Sequence, residues 1–208
     1  MAGAALAVYV LGLTLAFGWR TLVQWRRTRD TGLRLDAGPV GTLGWWAKIL
    51  FLLAIALGFA GPVGALAGLP HLPGFGHPAV HYLGLTVAVV GTGLTLAAQV
   101  AMGVSWRIGV DPAERTELVT TGPFALVRNP IFTAMAVTSL GLTLMVPNPV
   151  AALGFAVLVV AVQMQVRAVE EPYLLAVHGE AYRRYAARVG RFVPGVGRLS
   201  VPSPLVSR

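Results

Sequence analysis

The sequence predicts an all-α membrane protein with about five transmembrane helices. Three observations lead there. The 208 residues are 56% hydrophobic, only 12% are charged, and the apolar residues fall in blocks instead of being scattered. A soluble domain carries about 25% charged residues, and the mean hydropathy here is +0.72. The length allows one compact domain. With no cysteines, disulfides, a thiolate nucleophile and a Cys-ligated metal are excluded. The net charge of +8 is carried mostly by Arg residues lying between the apolar blocks. That is the distribution of orientation signals and anionic-lipid contacts, not of a nucleic-acid-binding face.

The first segment runs from about Ala4 to Trp25, the second from about Leu43 to Leu66, and the third from about Tyr82 to Met102. A fourth, from about Ile131 to Val146, is short for a full span, which takes roughly 20 residues. The fifth runs from about Val150 to Val169. Pro147-Asn148-Pro149 breaks the last two apart, so they read as a helical hairpin. Pro172 should bend the chain, and His178 to Tyr185 reads as a short amphipathic helix lying on the membrane surface. These elements divide the chain into three N-terminal spans (1–104), a core with the hairpin (105–198) and a loose tail (199–208).

No positive charge precedes the first apolar run, while Arg20, Arg26, Arg27, Arg29 and Arg34 follow it. A cleavable signal peptide is therefore not expected, and the N-terminus is placed outside. The remaining loops agree. Residues Pro70 to Val80 have no Lys or Arg, whereas Arg107, Arg115 and Arg128 precede the hairpin and Arg183, Arg184, Arg188, Arg191 and Arg198 follow it. The expected protein is a multi-pass protein of the plasma membrane with its C-terminus in the cytoplasm.

Two polar islands flank the hairpin and suggest one site at the membrane surface. The first is Gly122-Pro-Phe-Ala-Leu-Val-Arg128-Asn129-Pro130. Pro130 fits a first helical turn and Asn129 its N-cap, and a free helix N-terminus also favours an anion. Upstream, Leu118-Val119-Thr-Thr-Gly122-Pro123-Phe124 is a short extended stretch whose backbone could meet a ligand's polar edge. The second island is Arg167-Ala-Val-Glu170-Glu171. Arg167 shares a helix face with both carboxylates, so an ion pair there leaves one carboxylate over. A charge that close to the bilayer needs a partner, and a cationic ligand would supply it. Trp106 and Arg107 are either interfacial anchors or residues at a substrate mouth. Gly91 and Gly93 lie where small residues permit close helix packing. His71, His77 and His81 fall on or beside the outward loop, away from the islands, and no metal site is expected.

The order and spacing of five blocks resemble the isoprenylcysteine carboxyl methyltransferase family, which belongs with the membrane phospholipid methyltransferases. The blocks are Leu118-Val-Thr-Thr-Gly-Pro-Phe, Arg128-Asn-Pro-Ile-Phe, Arg167-Ala-Val-Glu-Glu, His178-Gly-Glu-Ala-Tyr-Arg-Arg-Tyr and Arg191-Phe-Val-Pro194. They lie within residues 102–198; the first hundred residues match only as apolar spans. The resemblance implies S-adenosylmethionine as cofactor and a hydrophobic, lipid-like acceptor entering from the bilayer. The cofactor pocket would involve Leu118, Val119, Gly122, Pro123, Phe124, Arg128, Asn129, Pro130, Glu170, Glu171, Tyr182 and Tyr185. Arg167 and Glu170 would carry the catalytic role, with Trp106 and Arg107 toward the acceptor. Two positions depart from the family pattern: Asn129 and Thr116 stand where it usually has His. Asn still hydrogen-bonds, so a binding role survives there and a proton-transfer role does not.

The expected activity is methyl transfer to an isoprenylcysteine carboxylate-like, phospholipid or isoprenoid acceptor. The acceptor's tail would enter beside the hairpin, past Trp106, Ala134 and Gly141. The alternatives are a non-catalytic lipid-binding or transport protein, and a sterol-reductase-like enzyme using NADPH.

Overall fold

A computed structural model describes residues 1–34, 38–109 and 117–200. Asp111, Pro112, Arg115, Thr116 and the end of the tail lie outside the described residues. Among the described residues the bundle is built from α1 (Ala2–Thr28), α2 (Leu43–Leu66), α3 (Pro78–Ala101), α4 (Pro130–Met145), α5 (Pro149–His178) and α6 (Glu180–Arg188). Four of them, α1, α2, α3 and α5, are long and apolar enough to cross a membrane. The 16 residues of α4 reach only ~24 Å at 1.5 Å each, short of a hydrocarbon core about 30 Å thick.

Local chemistry sets the starts. Pro78, Pro130 and Pro149 each occupy a first turn, where the missing N–H is not needed. Side chains of Thr42, His77 and Asn148 accept hydrogen bonds from the opening turns of α2, α3 and α5. The cap uses one His77 ring nitrogen, and His81 is buried with Nδ1 2.9 Å from the Met145 carbonyl.

The hairpin is less closed than its sequence suggests. At its tip the Thr143 hydroxyl donates to the Ala151 carbonyl at 3.2 Å. Each arm then lies mainly on an earlier helix, α4 on α3 and α5 on α2. Small residues explain the pairing. A Cβ on Gly84 would sit 2.6 Å from the Met145 nitrogen, and one on Gly91 2.6 Å from the Thr138 nitrogen. Gly141 is pressed against Ala88. Such contacts let backbones approach as side chains larger than Ala would not. Gly93, by contrast, faces open space. In the other pair Gly61 meets Ala151, Gly154 meets Leu57, and the Asn148 amide donates to the Gly61 carbonyl at 2.9 Å.

Pro172 is accommodated within α5: the helix widens into a π turn over Val166–Glu170, the Glu171 N–H returns to the Val166 carbonyl, and Pro172 follows in a fresh first turn. The helix ends at Gly179, whose φ of 52° suits glycine. The start of the tail is tied down, since Leu199 N–H donates to the Ala186 carbonyl at 3.0 Å and its side chain packs on α6. The last eight residues, expected to be loose, lie outside the described residues. One expectation needs correction: α6 does not rest on the membrane through its tyrosines, because Tyr182 and Tyr185 are buried inside the protein.

Candidate active site

The two islands do meet, and the meeting point is Glu171. Arg128 sits just before α4 with its side chain buried, and its Nη2 donates to Glu171 Oε1 at 2.6 Å. The partner missed in the sequence is Arg191, whose Nε and Nη2 donate to Oε1 and Oε2 of Glu171, both at 2.8 Å. Each carboxylate oxygen therefore has a donor. Arg128 also donates to the carbonyls of Ala186, Val189 and Gly197, so one guanidinium gathers the end of α6 and the tail loop. A buried charge pair is tolerable when further hydrogen bonds satisfy its remaining atoms, and these carbonyls do so for both terminal nitrogens of Arg128.

The backbone reinforces the arrangement. Val127 pairs with Gly190 in a short parallel bridge, and the Arg128 N–H donates to the Gly190 carbonyl at 2.8 Å. The Asn129 amide donates to the Arg191 carbonyl at 3.0 Å and makes no cap bond, which corrects its expected role. The side chain is spent on the tail loop, while Pro130 opens the helix. Tyr185 donates to the Phe124 carbonyl at 2.6 Å, its ring 6.1 Å from that of Tyr182. Leu118 packs on this aromatic pair, and Pro123 and Phe124 turn the chain toward it. Val119 lies half-buried beside Leu118, and Gly122 takes the left-handed φ of 59° that opens the turn. Burial pushes both Tyr hydroxyls up to about 12. The Glu171 carboxylate raises the Arg191 guanidinium further above its usual range.

The carboxylate left over is Glu170, not Glu171. Its one partner among the described residues is the Gln165 amide at 3.5 Å. Arg167 does not pair with either Glu; it is exposed and its Nε donates to Gln163 at 2.9 Å. The π turn rotates Glu170 and Glu171 away from the face that regular helical spacing gives them. Near the same helix end, His178 Nε2 is buried without a partner, as is Arg128 Nε.

Trp106 and Arg107 belong to a different cluster. Trp106 is 1% exposed, with the Arg20 guanidinium 4.8 Å above its ring. It is therefore neither an interfacial anchor nor the rim of a mouth. Arg107 donates to the Trp106 carbonyl at 3.0 Å, and the strand-like pairing of Leu33 with Ile108 holds this turn to the loop after α1. The expected entry beside Ala134 and Gly141 is also closed: Ala134 is buried and Gly141 abuts α3. The open space lies on the other side, between α1 and the bundle, as a cleft with a cavity of about 100 Å³.

One signal would have exposed Arg191, its place in the last of the five blocks, and His178 likewise opens the fourth. Nothing comparable marked Arg20.

The structure is an all-helical membrane fold whose C-terminal half carries this network. Residues 79–181 match the family model described as phospholipid methyltransferase. Over this segment, just under half of the chain, the protein resembles that family. Among its relatives are Protein-S-isoprenylcysteine O-methyltransferases B and A of Arabidopsis thaliana, each 34% identical, over 115 and 119 residues. The alignments take in 54% and 56% of this chain, and 58% and 60% of the relatives' own lengths, less than two thirds of either.

Proposed function

We propose that the protein transfers a methyl group from S-adenosylmethionine to a hydrophobic, lipid-like acceptor at the cytoplasmic face of the membrane. The observation that carries this reading is the division of labour between two adjacent carboxylates. Glu171 is consumed by Arg128 and Arg191, and Glu170 beside it keeps its hydrogen-bonding capacity. The relatives' names and the family match support the methyl-transfer class.

The residues present fit the cofactor. A carboxylate suits its ammonium or ribose hydroxyls, and the orphaned His178 Nε2 offers a further polar contact in the same region. When bound, S-adenosylmethionine would supply an electrophilic methyl on a sulfonium, with S-adenosylhomocysteine as the leaving group. The chain's part is to position and to exclude water. Arg128 and Arg191 fix Glu171, and with it the end of α5 that presents Glu170. Tyr182, Tyr185 and Phe124 pack buried rings beside that network. Arg167, exposed on the outer face of α5, takes no part in this arrangement.

The Arg distribution favours a cytoplasmic site with the N-terminus outside, an orientation that counts the short α4 as a fifth crossing beside the four long helices. Incubating the purified protein with tritium-labelled S-adenosylmethionine and a membrane lipid extract tests the activity. Label recovered in the organic phase, and lost in Glu170→Gln, is the expected result. No transfer to any lipid or prenylated acceptor, with cofactor bound, would leave the protein a binder and not an enzyme.

A further inference from the structure

One helical turn beyond the lining of the cleft between α1 and the bundle lies a polar pair, Arg20 and Gln99, that the methyl-transfer site does not use. The cleft's walls carry Tyr9, Gly12 and Ala16 of α1, Ile55 of α2, and Thr95 and Ser139 of α3 and α4. The wall hydroxyls of Thr92, Thr95, Thr138 and Thr143 donate to carbonyls one turn back, and Tyr9 donates to the Ile55 carbonyl at 2.6 Å. The walls therefore present methyl and ring surface, which favours hydrocarbon over water. The cavity of about 100 Å³ is well below the roughly 300–1,000 Å³ of ordinary ligand pockets. It accommodates part of one chain, not two side by side.

One helical turn below the Ala16 and Thr95 floor lie Arg20 and Gln99. Arg20 is 2% exposed, in the last turns of an apolar span, and has no carboxylate partner among the described residues. Its Nη2 donates to the carbonyls of Gly103 at 2.6 Å and Gln99 at 3.4 Å. These bonds hold the end of α3. They leave Arg20 Nε buried without a partner, and Gln99 Oε1 likewise. A buried donor left unmade costs about 1–3 kcal/mol, and a buried cation without a counter-charge is dearer still. The helix is also distorted here. A π turn over Thr14–Trp19 leaves the Ala16 carbonyl to accept from the Gln99 amide at 3.0 Å, and such turns concentrate at functional sites.

We infer that this cleft and its Arg20–Gln99 seat bind a single-chain amphiphile with an anionic head, its chain along α1 and its head against the Arg20 guanidinium. Arg20 lies outside the residues that match the family model, so the site belongs to this chain's own N-terminal helix. The cleft's inner walls include Phe51 and Leu158, which pack with Phe132 and Phe192, and Phe192 follows Arg191 of the Glu171 network. The seat and the candidate active site are thus joined through one apolar cluster. The inference rests on the methyl-transfer reading only for naming the occupant as acceptor; its chemistry stands on the cleft.

Binding of hexadecyl phosphate, hexadecanol and the two-chain lipid phosphatidylglycerol to the whole protein in neutral detergent, followed by thermal shift, tests it. Gly12→Leu fills the cleft from a helical position whose Cβ has only ordinary contact with Thr92, at 3.7 Å. Hexadecyl phosphate should bind at least tenfold more tightly than hexadecanol. Gly12→Leu should weaken both at least tenfold, and Arg20→Met should erase the difference between them. Equal binding of phosphate and alcohol, or an unaffected Gly12→Leu, overturns the inference even if Arg20→Met does not fold. Phosphatidylglycerol matching hexadecyl phosphate overturns the single-chain assignment. S-adenosylhomocysteine titrated into the same samples reports separately on the methyl-transfer site.

Discussion

Arg191 grips both oxygens of Glu171 at 2.8 Å, from 20 residues further along the chain, while Arg128 approaches the same carboxylate from the start of α4 at 2.6 Å. Three segments distant in sequence are thereby fixed around one buried charge. Removing one member of such a set leaves the others buried and uncompensated, at a cost of about 3–5 kcal/mol. Glu171→Gln should therefore destabilise the protein by that order, and Glu170→Gln should not. Thermal unfolding in detergent checks it; equal midpoints for the two variants would remove Glu171 from the centre of the fold.

Asn129 acts through a donor that reaches the tail loop, not through a cap. Asn129→Ala should cost about 0.5–1.5 kcal/mol, the usual net worth of one hydrogen bond. Asn129→Ser, a good capping residue, should not recover it, because its hydroxyl is too short to reach the Arg191 carbonyl. Recovery of the wild-type midpoint by Ser would restore the capping account.

Tyr182 and Tyr185 predict an alkaline limit. Their folded hydroxyls hold protons to about 12, against a reference of 10.0. A pKa raised on folding contributes stability that is fully present below pH 10 and is lost as pH rises through 12. A two-unit shift is worth about 2.7 kcal/mol per group. The double variant Tyr182→Phe, Tyr185→Phe should flatten the stability profile between pH 10 and 12, whatever it loses at neutral pH. An unchanged slope would mean other groups set that limit.

Most of the fold was legible. Pro78, Pro130 and Pro149 sit within the first turns of their helices, and the Pro147-Asn148-Pro149 break places the hairpin tip. The apolar blocks give the first four helices to within about four residues, whereas α5 runs nine residues past Val169, to His178. The site was legible as a set of blocks, not as a set of contacts. Helical spacing paired Arg167 with the glutamates, because nothing local announces a π turn at Val166–Glu170 that turns Glu171 toward the tail. Arg191 read as one more cytoplasmic cation because its partner lies on another helix. Trp106 read as interfacial because composition cannot show Arg20 stacking on it from α1.

The arginines predict an orientation with the N-terminus outside, and the Cys-free background gives a clean check. Gly76 lies exposed in the loop between α2 and α3. A Cys introduced there should be labelled by an impermeant maleimide from outside the cell. Labelling only after the cytoplasmic face is opened would invert the topology and move the candidate site outside.

The central claim is that Glu170, released from the Arg128–Glu171–Arg191 network, binds S-adenosylmethionine. Calorimetric titration of S-adenosylhomocysteine and of NADPH into wild type and Glu170→Gln tests it most directly. The account predicts binding of S-adenosylhomocysteine and none of NADPH. It also predicts at least tenfold weaker binding in Glu170→Gln, about 1.4 kcal/mol or more, at an unchanged melting temperature. Binding of NADPH in its place, or S-adenosylhomocysteine affinity indifferent to Glu170→Gln, would contradict it.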